Sequence, residues 1–241
     1  MTELTPEQKL KMMEEALHID KSGKAYAQQP KPTIKIPKLA APAEEPTKWV
    51  KVKDTAEGLD MLIYTDILFL GKSWEDSRKA LLESNMQMPT IRNYIDYRNT
   101  LASGNAFFAD KTKFPGMIAV SHEKREPWSE YLDTEFELTS HGLYVKAANG
   151  SLTKHMHRLL KEDKMISLAA WLKDADSYTG LPKEGIDSGV LYYQKPKANC
   201  ASAYMRGDEP VLRCDVEKHV VNSKIGVRPK IGPDSLTLAF L

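Results

Sequence analysis

Residues 200–216 read CASAYMRGDEPVLRCDV, and the fold class turns on how this stretch is taken. Successive side chains of a β-strand point to opposite faces. Ala201, Ala203 and Met205 are small or apolar, and Ser202, Tyr204, Arg206 and Asp208 alternate with them. Glu209-Pro210 marks a turn. Beyond it, Leu212 and Cys214 are apolar, with Val211, Arg213 and Asp215 interleaved. The pattern predicts a hairpin with one core face and one outward face of hydroxyl, phenol, guanidinium and carboxylate groups. An ordinary half-solvated hairpin and a binding face both fit this alternation. The register rests on the turn, and a one-residue slip there exchanges the two faces.

Outward from the hairpin, Val190–Gln194 and Ile225–Ile231 also read as short strands. Earlier in the chain, Trp49–Lys53 and Asp60–Phe69 have strand character. Ser73-x-x-Asp76 caps a helix over Trp74–Asn85, and a second helix starts at Met88-Pro89-Thr90 and stops at Gly104. Phe136/Leu138 and Leu143/Val145 flank a hairpin turn at His141-Gly142, and Ser151–Lys173 has the spacing of a helix in two pieces. The fold class is α+β, with helices early and an antiparallel sheet late. Residues 1–48 stand apart. Thr5-Pro6-Glu7-Gln8 opens a short amphipathic helix, and Pro30, Pro32, Pro37, Pro42 and Pro46 with intervening lysines make a linker or arm. The domain proper is expected over residues 49–241.

The chain has 241 residues, a net charge of +1 and two cysteines. A near-neutral balance argues against a dedicated nucleic-acid binder. Two cysteines argue against a disulfide scaffold and for a reduced setting. The first residues, MTELTPEQKL, lack the basic and apolar regions of a secretory signal. The longest apolar run, Leu59–Leu70, is broken by Asp60, Thr65 and Asp66 and is too short to cross a bilayer. A soluble protein without membrane insertion is expected, in the cytoplasm or a virion.

Met88-Pro89-Thr90 before a helix resembles the Leu-Pro-Thr helix start of formylglycine-generating-enzyme-type C-type lectin folds. Ile225-Gly226-Val227-Arg228-Pro229 resembles their terminal Gly-(Phe/Val)-Arg strand. Leu191-Tyr192-Tyr193, Ala201, Leu212, Cys214 and Ser223 are similar to the C-terminal block of variable proteins of diversity-generating retroelements, of archaeal-virus or phage type. The resemblance covers roughly residues 59–231 and implies a C-type lectin-like fold of two helices and an antiparallel sheet. It implies a non-enzymatic, ligand-binding protein that displays diversified residues at about 191–229 to a protein or cell-surface ligand, without cofactor or metal. The ligand-binding residues it points to are Ser202, Tyr204, Arg206, Asp208, Val211, Arg213, Asp215 and His219. All are reachable when the adenines of an AAY codon vary, whereas Glu209, Glu217 and Lys218 are not. The family pattern has an aromatic near Ala203 and a Gly-Ala step near Glu209-Pro210, and this chain has neither.

Other constellations have weaker spacing. Cys200 and Cys214 suit buried thiols, a cross-strand disulfide or the reactive cysteines of a formylglycine-generating-type enzyme, which is the alternative function. A virion component in which the fold only packs is a further alternative. Glu209-Pro210-Val211 lacks the Asn of a lectin calcium triplet. His155-x-His157 lies in a stretch read as helix, where the two side chains diverge, and His122-Glu123 reads as surface. Trp74, Trp128 and Trp171 are spaced as core anchors, and no phosphate loop or nucleophile elbow occurs.

Overall fold

The structure is a computed structural model that describes residues 45–56, 58–115, 129–147, 152–155, 159–205 and 210–232, with the backbone alone for 147 and 152–155. The expected N-terminal helix, the Pro-rich arm as far as residue 44, His122-Glu123, Trp128 and His157 lie outside the described residues.

The small sheet brings the two ends of the domain together. Strands β1 (Trp49–Lys53) and β2 (Asp60–Tyr64) form an antiparallel hairpin, flanked by β3 (Phe107–Phe108) and the C-terminal β12 (Lys230–Ile231) in the order β12-β2-β1-β3. Packing starts ahead of β1: Tyr64 donates to Glu45 at 3.1 Å, and Lys48 pairs with Asp66 at 2.7 Å.

Two helices follow as the sequence predicts. The first, α1 (Trp74–Glu83), is capped by Ser73, whose side chain accepts from the Asp76 amide. The second, α2 (Ile91–Ala102), starts with a reciprocal capping box between Thr90 and Asn93, which satisfies two orphan donors at once. Gly104 follows its C-cap with φ +69°, a conformation that costs a side-chain-bearing residue about 1–2 kcal/mol.

The large sheet has eight strands, ordered β6-β5-β4-β9-β10-β8-β7 with β11 added beside β4. Its members are β4 (Ser129–Thr139), β5 (Gly142–Ala147), β6 (Leu152–His155), β7 (Lys164–Ile166), β8 (Leu191–Gln194), β9 (Ala201–Met205), β10 (Val211–Val216) and β11 (Ile225–Val227). Most pairings are antiparallel, but β8–β10 and β4–β11 are parallel. The expected helix over Ser151–Lys173 is corrected: Leu152–His155 and Lys164–Ile166 are strands, and among the described residues of that stretch only α3 (Leu168–Asp174) is helical. The helical spacing there is real, but the two strands gain ladder partners in β5 and β8, and tertiary pairing overrides local propensity.

Two apolar cores cover opposite faces of the sheet's centre. On one face, Tyr204, Leu212, Cys214, Leu191, Tyr193 and Ile166 pack against Ile91, Tyr94 and Ile95 of α2 and Trp171 of α3. On the other, Ala201, Ala203 and Tyr131 pack against Trp49 of β1 and Trp74 of α1. Trp74 and Trp171 are buried as expected, and their indoles donate to the Leu132 and Gly180 carbonyls at 3.0 and 2.8 Å.

The Gly-Val-Arg segment acquires a physical reason. A Cβ on Gly226 would lie 2.4 Å from the Leu68 carbonyl oxygen and 2.5 Å from Ile67 Cγ2, where β11 runs between β4 and the Leu68 bridge. Arg228 is buried. It donates to Glu130 at 3.1 Å and to the Tyr64 and Thr65 carbonyls, and lies 5.1 Å from the Tyr97 ring centroid. One guanidinium thus ties the C-terminal turn to β2, β4 and α2. Removing one partner of such a buried pair costs about 3–5 kcal/mol.

Candidate functional site

The face of the large sheet opposite Tyr204 is solvent-facing where β7, β8 and β10 carry it past the β1–α1 core. Pairing aligns Met165 with Tyr192, Tyr192 with Val211, and Val211 with Met205. Paired residues share a face, so these four form one row across four strands, about 14 Å long at the usual strand spacing. Met165 is 41% exposed, and Tyr192, Val211 and Met205 are half-buried. Met205 also touches the core beneath α1, so the row begins at a packed edge and runs outward to the sheet's margin at β7.

A second row holds Gln194, Arg213 and Ala203. Asp215 anchors it. Its carboxylate accepts from Arg213 Nε at 2.9 Å, Gln194 Nε2 at 3.1 Å and Lys197 Nζ at 3.1 Å. The Asp215 side chain is 6% exposed and that of Arg213 38%. One buried acid therefore orients two partly solvated cations and an amide. Such pairs add little stability, but they fix donor geometry before any ligand arrives. The arrangement offers an aromatic ring, two thioethers, a branched aliphatic and oriented donors. Methionine side chains adapt to varied shapes, and Tyr and Arg are enriched at binding hot spots.

The structure corrects the predicted outward face. Ser202 is fully buried and its hydroxyl donates to the Leu132 carbonyl at 3.1 Å. Tyr204 is 4% exposed, with its ring 4.9 Å from Tyr94 and 6.3 Å from Trp171. The reason is register: Leu212 lies opposite Tyr204, and Arg213 opposite Ala203. On β9 the polar set joins the face of Leu212 and Cys214, whereas β10 keeps the two faces read from polarity. The strand is also central, so its polar side points into a core and not into water. Val211 and Arg213 remain on the solvent-facing side. Asp215 is buried as their anchor, next to a ladder irregularity between Arg213 and Val216. His219 is exposed but belongs to another contact, 3.3 Å from Glu75 on α1, beside Lys218, which pairs with Glu135 at 2.9 Å. Arg206 and Asp208 lie outside the described residues.

Met165, Tyr192 and Gln194 are residues that sequence reasoning missed. Tyr192 and Gln194 had a signal, since the strand reading of Val190–Gln194 puts them on one face opposite Leu191 and Tyr193. Met165 had none, because its segment has helical spacing.

Burial holds both thiols toward the protonated form. Burial pushes Cys214 well above its ordinary range, reinforced by Asp215. Cys200, half-buried, is raised by burial and by Asp215 against the pull of Lys197. Both are free thiols, and a protonated thiol is a poor nucleophile. His155 sits on strand β6 and not on the expected helix. Among the described residues no three His, Cys, Asp or Glu side chains gather as metal ligands, and no helix is long and apolar enough to cross a membrane. No family model, no curated protein and no solved structure matches this chain.

Proposed function

We propose that this chain is a ligand-binding protein that presents variable side chains on a C-type lectin-like frame and recognises a polypeptide or cell-surface partner. The recognition face is the row Met165–Tyr192–Val211–Met205 with Arg213, Gln194 and Lys197 beside it. The observation that carries the reading is the separation of roles within β10. Leu212 and Cys214 are locked in a core, while Val211 and Arg213 project from the same backbone onto the open face. Outward residues on a strand held this way change at about ±0.5 kcal/mol, whereas inward ones cost several. A frame of this kind tolerates diversification. The pairing of β12 with β2, two helices ahead of the main sheet, and the steric and ionic demands on Gly226 and Arg228 support the lectin-like frame. Burial raises both thiols, Cys214 fully buried and Cys200 half-buried, and this favours the binding reading over the enzyme alternative.

The test is the coding locus in independent isolates. A diversified protein has a near-copy of the segment encoding residues 191–228, differing at adenines, beside a reverse transcriptase gene. Its substitutions fall at Tyr192, Val211, Arg213 and other outward positions and spare Ala203, Tyr204 and Leu212. A locus with neither repeat nor reverse transcriptase, or with changes spread evenly over both faces, refutes the proposal.

A further inference from the structure

A second feature lies away from the sheet face. Strand β3 pairs with β1 only at Val50 and Lys51, so β1 beyond them has no strand on that side among the described residues. There an open cleft of about 830 Å³ runs between β1, α2 and the end of α3, within the size range of small-molecule sites. Its lining is charged unevenly. Lys51, Lys53, Arg92 and Lys173 face it against only Asp60 and Asp96, which leaves a surplus of two positive charges. Lys51 is paired with Asp60 at 2.8 Å, but the ammonium groups of Lys53 and Lys173 have no carboxylate or hydrogen-bond partner among the described residues.

Arg92 is the fixed element. Its side chain is 10% exposed and Nη2 donates to Asp96 at 2.7 Å. Asp96 is itself held by Thr55, through the hydroxyl at 2.8 Å and the amide at 3.0 Å. The Arg92 Nε is buried without a partner, and an unsatisfied buried donor costs about 1–3 kcal/mol. A pre-oriented guanidinium in a lining that also carries two ammonium groups without carboxylate partners suits an oxyanion. Phe107, 43% exposed, contributes an aromatic surface to the same lining.

We propose that this cleft binds a small organic phosphate, with the phosphoryl group held by Lys53, Lys173 and Arg92 and the ligand's planar part against Phe107. The site is independent of the sheet face proposed above.

The experiment is calorimetric titration of the full chain with phenyl phosphate, inorganic phosphate and phenol at ~0.15 M salt, where the Debye length is about 8 Å and diffuse surface attraction is screened. Phenyl phosphate is expected to bind saturably, inorganic phosphate more weakly and phenol not at all. Lys53 and Lys173 are exposed, so Lys53→Glu/Lys173→Glu leaves the core untouched. It should weaken phenyl phosphate at least ~tenfold, or about 1.4 kcal/mol, while Lys224→Glu, an exposed lysine outside the lining, changes it less than ~twofold. Absence of saturable binding, or an equal loss from Lys224→Glu, overturns the site. Inorganic phosphate binding as tightly as phenyl phosphate overturns the part assigned to Phe107.

Discussion

Tyr204→Ala separates the two registers of the β9–β10 hairpin by energy. In the observed register the ring is 4% exposed and packs at 4.9 Å from Tyr94 and 6.3 Å from Trp171. An aromatic side chain of this size buries about 150–200 Å², which at about 25 cal/mol per Å² amounts to about 4–5 kcal/mol. Large-to-small changes at buried aromatics cost about 3–5 kcal/mol, with the cavity included. Urea unfolding reads this directly. With a slope of about 2 kcal/mol per molar, the midpoint should fall by about 1.5–2.5 M. Arg213→Ala is the control. Asp215 keeps Lys197 and Gln194 as partners, so the loss should stay under about 1 kcal/mol. In the register read from polarity both side chains face water, so the two changes would cost similar, small amounts. The reasoning is refuted if Tyr204→Ala costs under about 1 kcal/mol, or if Arg213→Ala costs as much as Tyr204→Ala. The Tyr94→Ala/Tyr204→Ala cycle should add a coupling of about 0.5–1.5 kcal/mol.

Two further outcomes follow from the frame. Burial pushes Asp133 up from its ordinary 3.8 to about 6, although Arg78 pulls it down. The folded form therefore holds a proton that the unfolded chain releases, and this contribution favours folding at low pH and is lost as pH rises from about 4 to above 6. Stability of the wild type relative to Asp133→Asn should fall across that window by on the order of 2–3 kcal/mol, measured by urea titrations at each pH; a flat or rising difference contradicts the burial. Gly226→Ala should cost about 2–3 kcal/mol or more, because the new methyl meets the Leu68 carbonyl oxygen at 2.4 Å. Gly58→Ala, at φ +74° with nothing within 4 Å, should cost only about 1–2 kcal/mol of backbone strain; equal losses at the two sites would remove the steric argument.

Local chemistry made much of this protein legible from its sequence. The α+β class, the two capped helices, the His141-Gly142 hairpin and the four C-terminal strand segments all rest on caps, turns and alternation. Those signals act within a few residues, so they can be read along the chain. The tryptophans at 74 and 171 were legible as core because an indole has few other stable places. Residues 152–166 were not legible, because the choice of strand over helix was made by β5 and β8, distant in sequence.

The site was legible only in part for a related reason. Alternation assigns residues to two faces but does not say what covers either. On an edge or half-covered strand the polar set marks water. On β9, set between β4 and β10, α2 and α3 covered that set, and Ser202 and Tyr204 became core. Alternation by itself determined that Val211 and Arg213 oppose Leu212 and Cys214. The cross-strand register, which sets Leu212 beside Tyr204, and the reach of each helix over the sheet decided which face meets solvent. Both depend on contacts between segments far apart in the chain, and no local pattern of side chains encodes them.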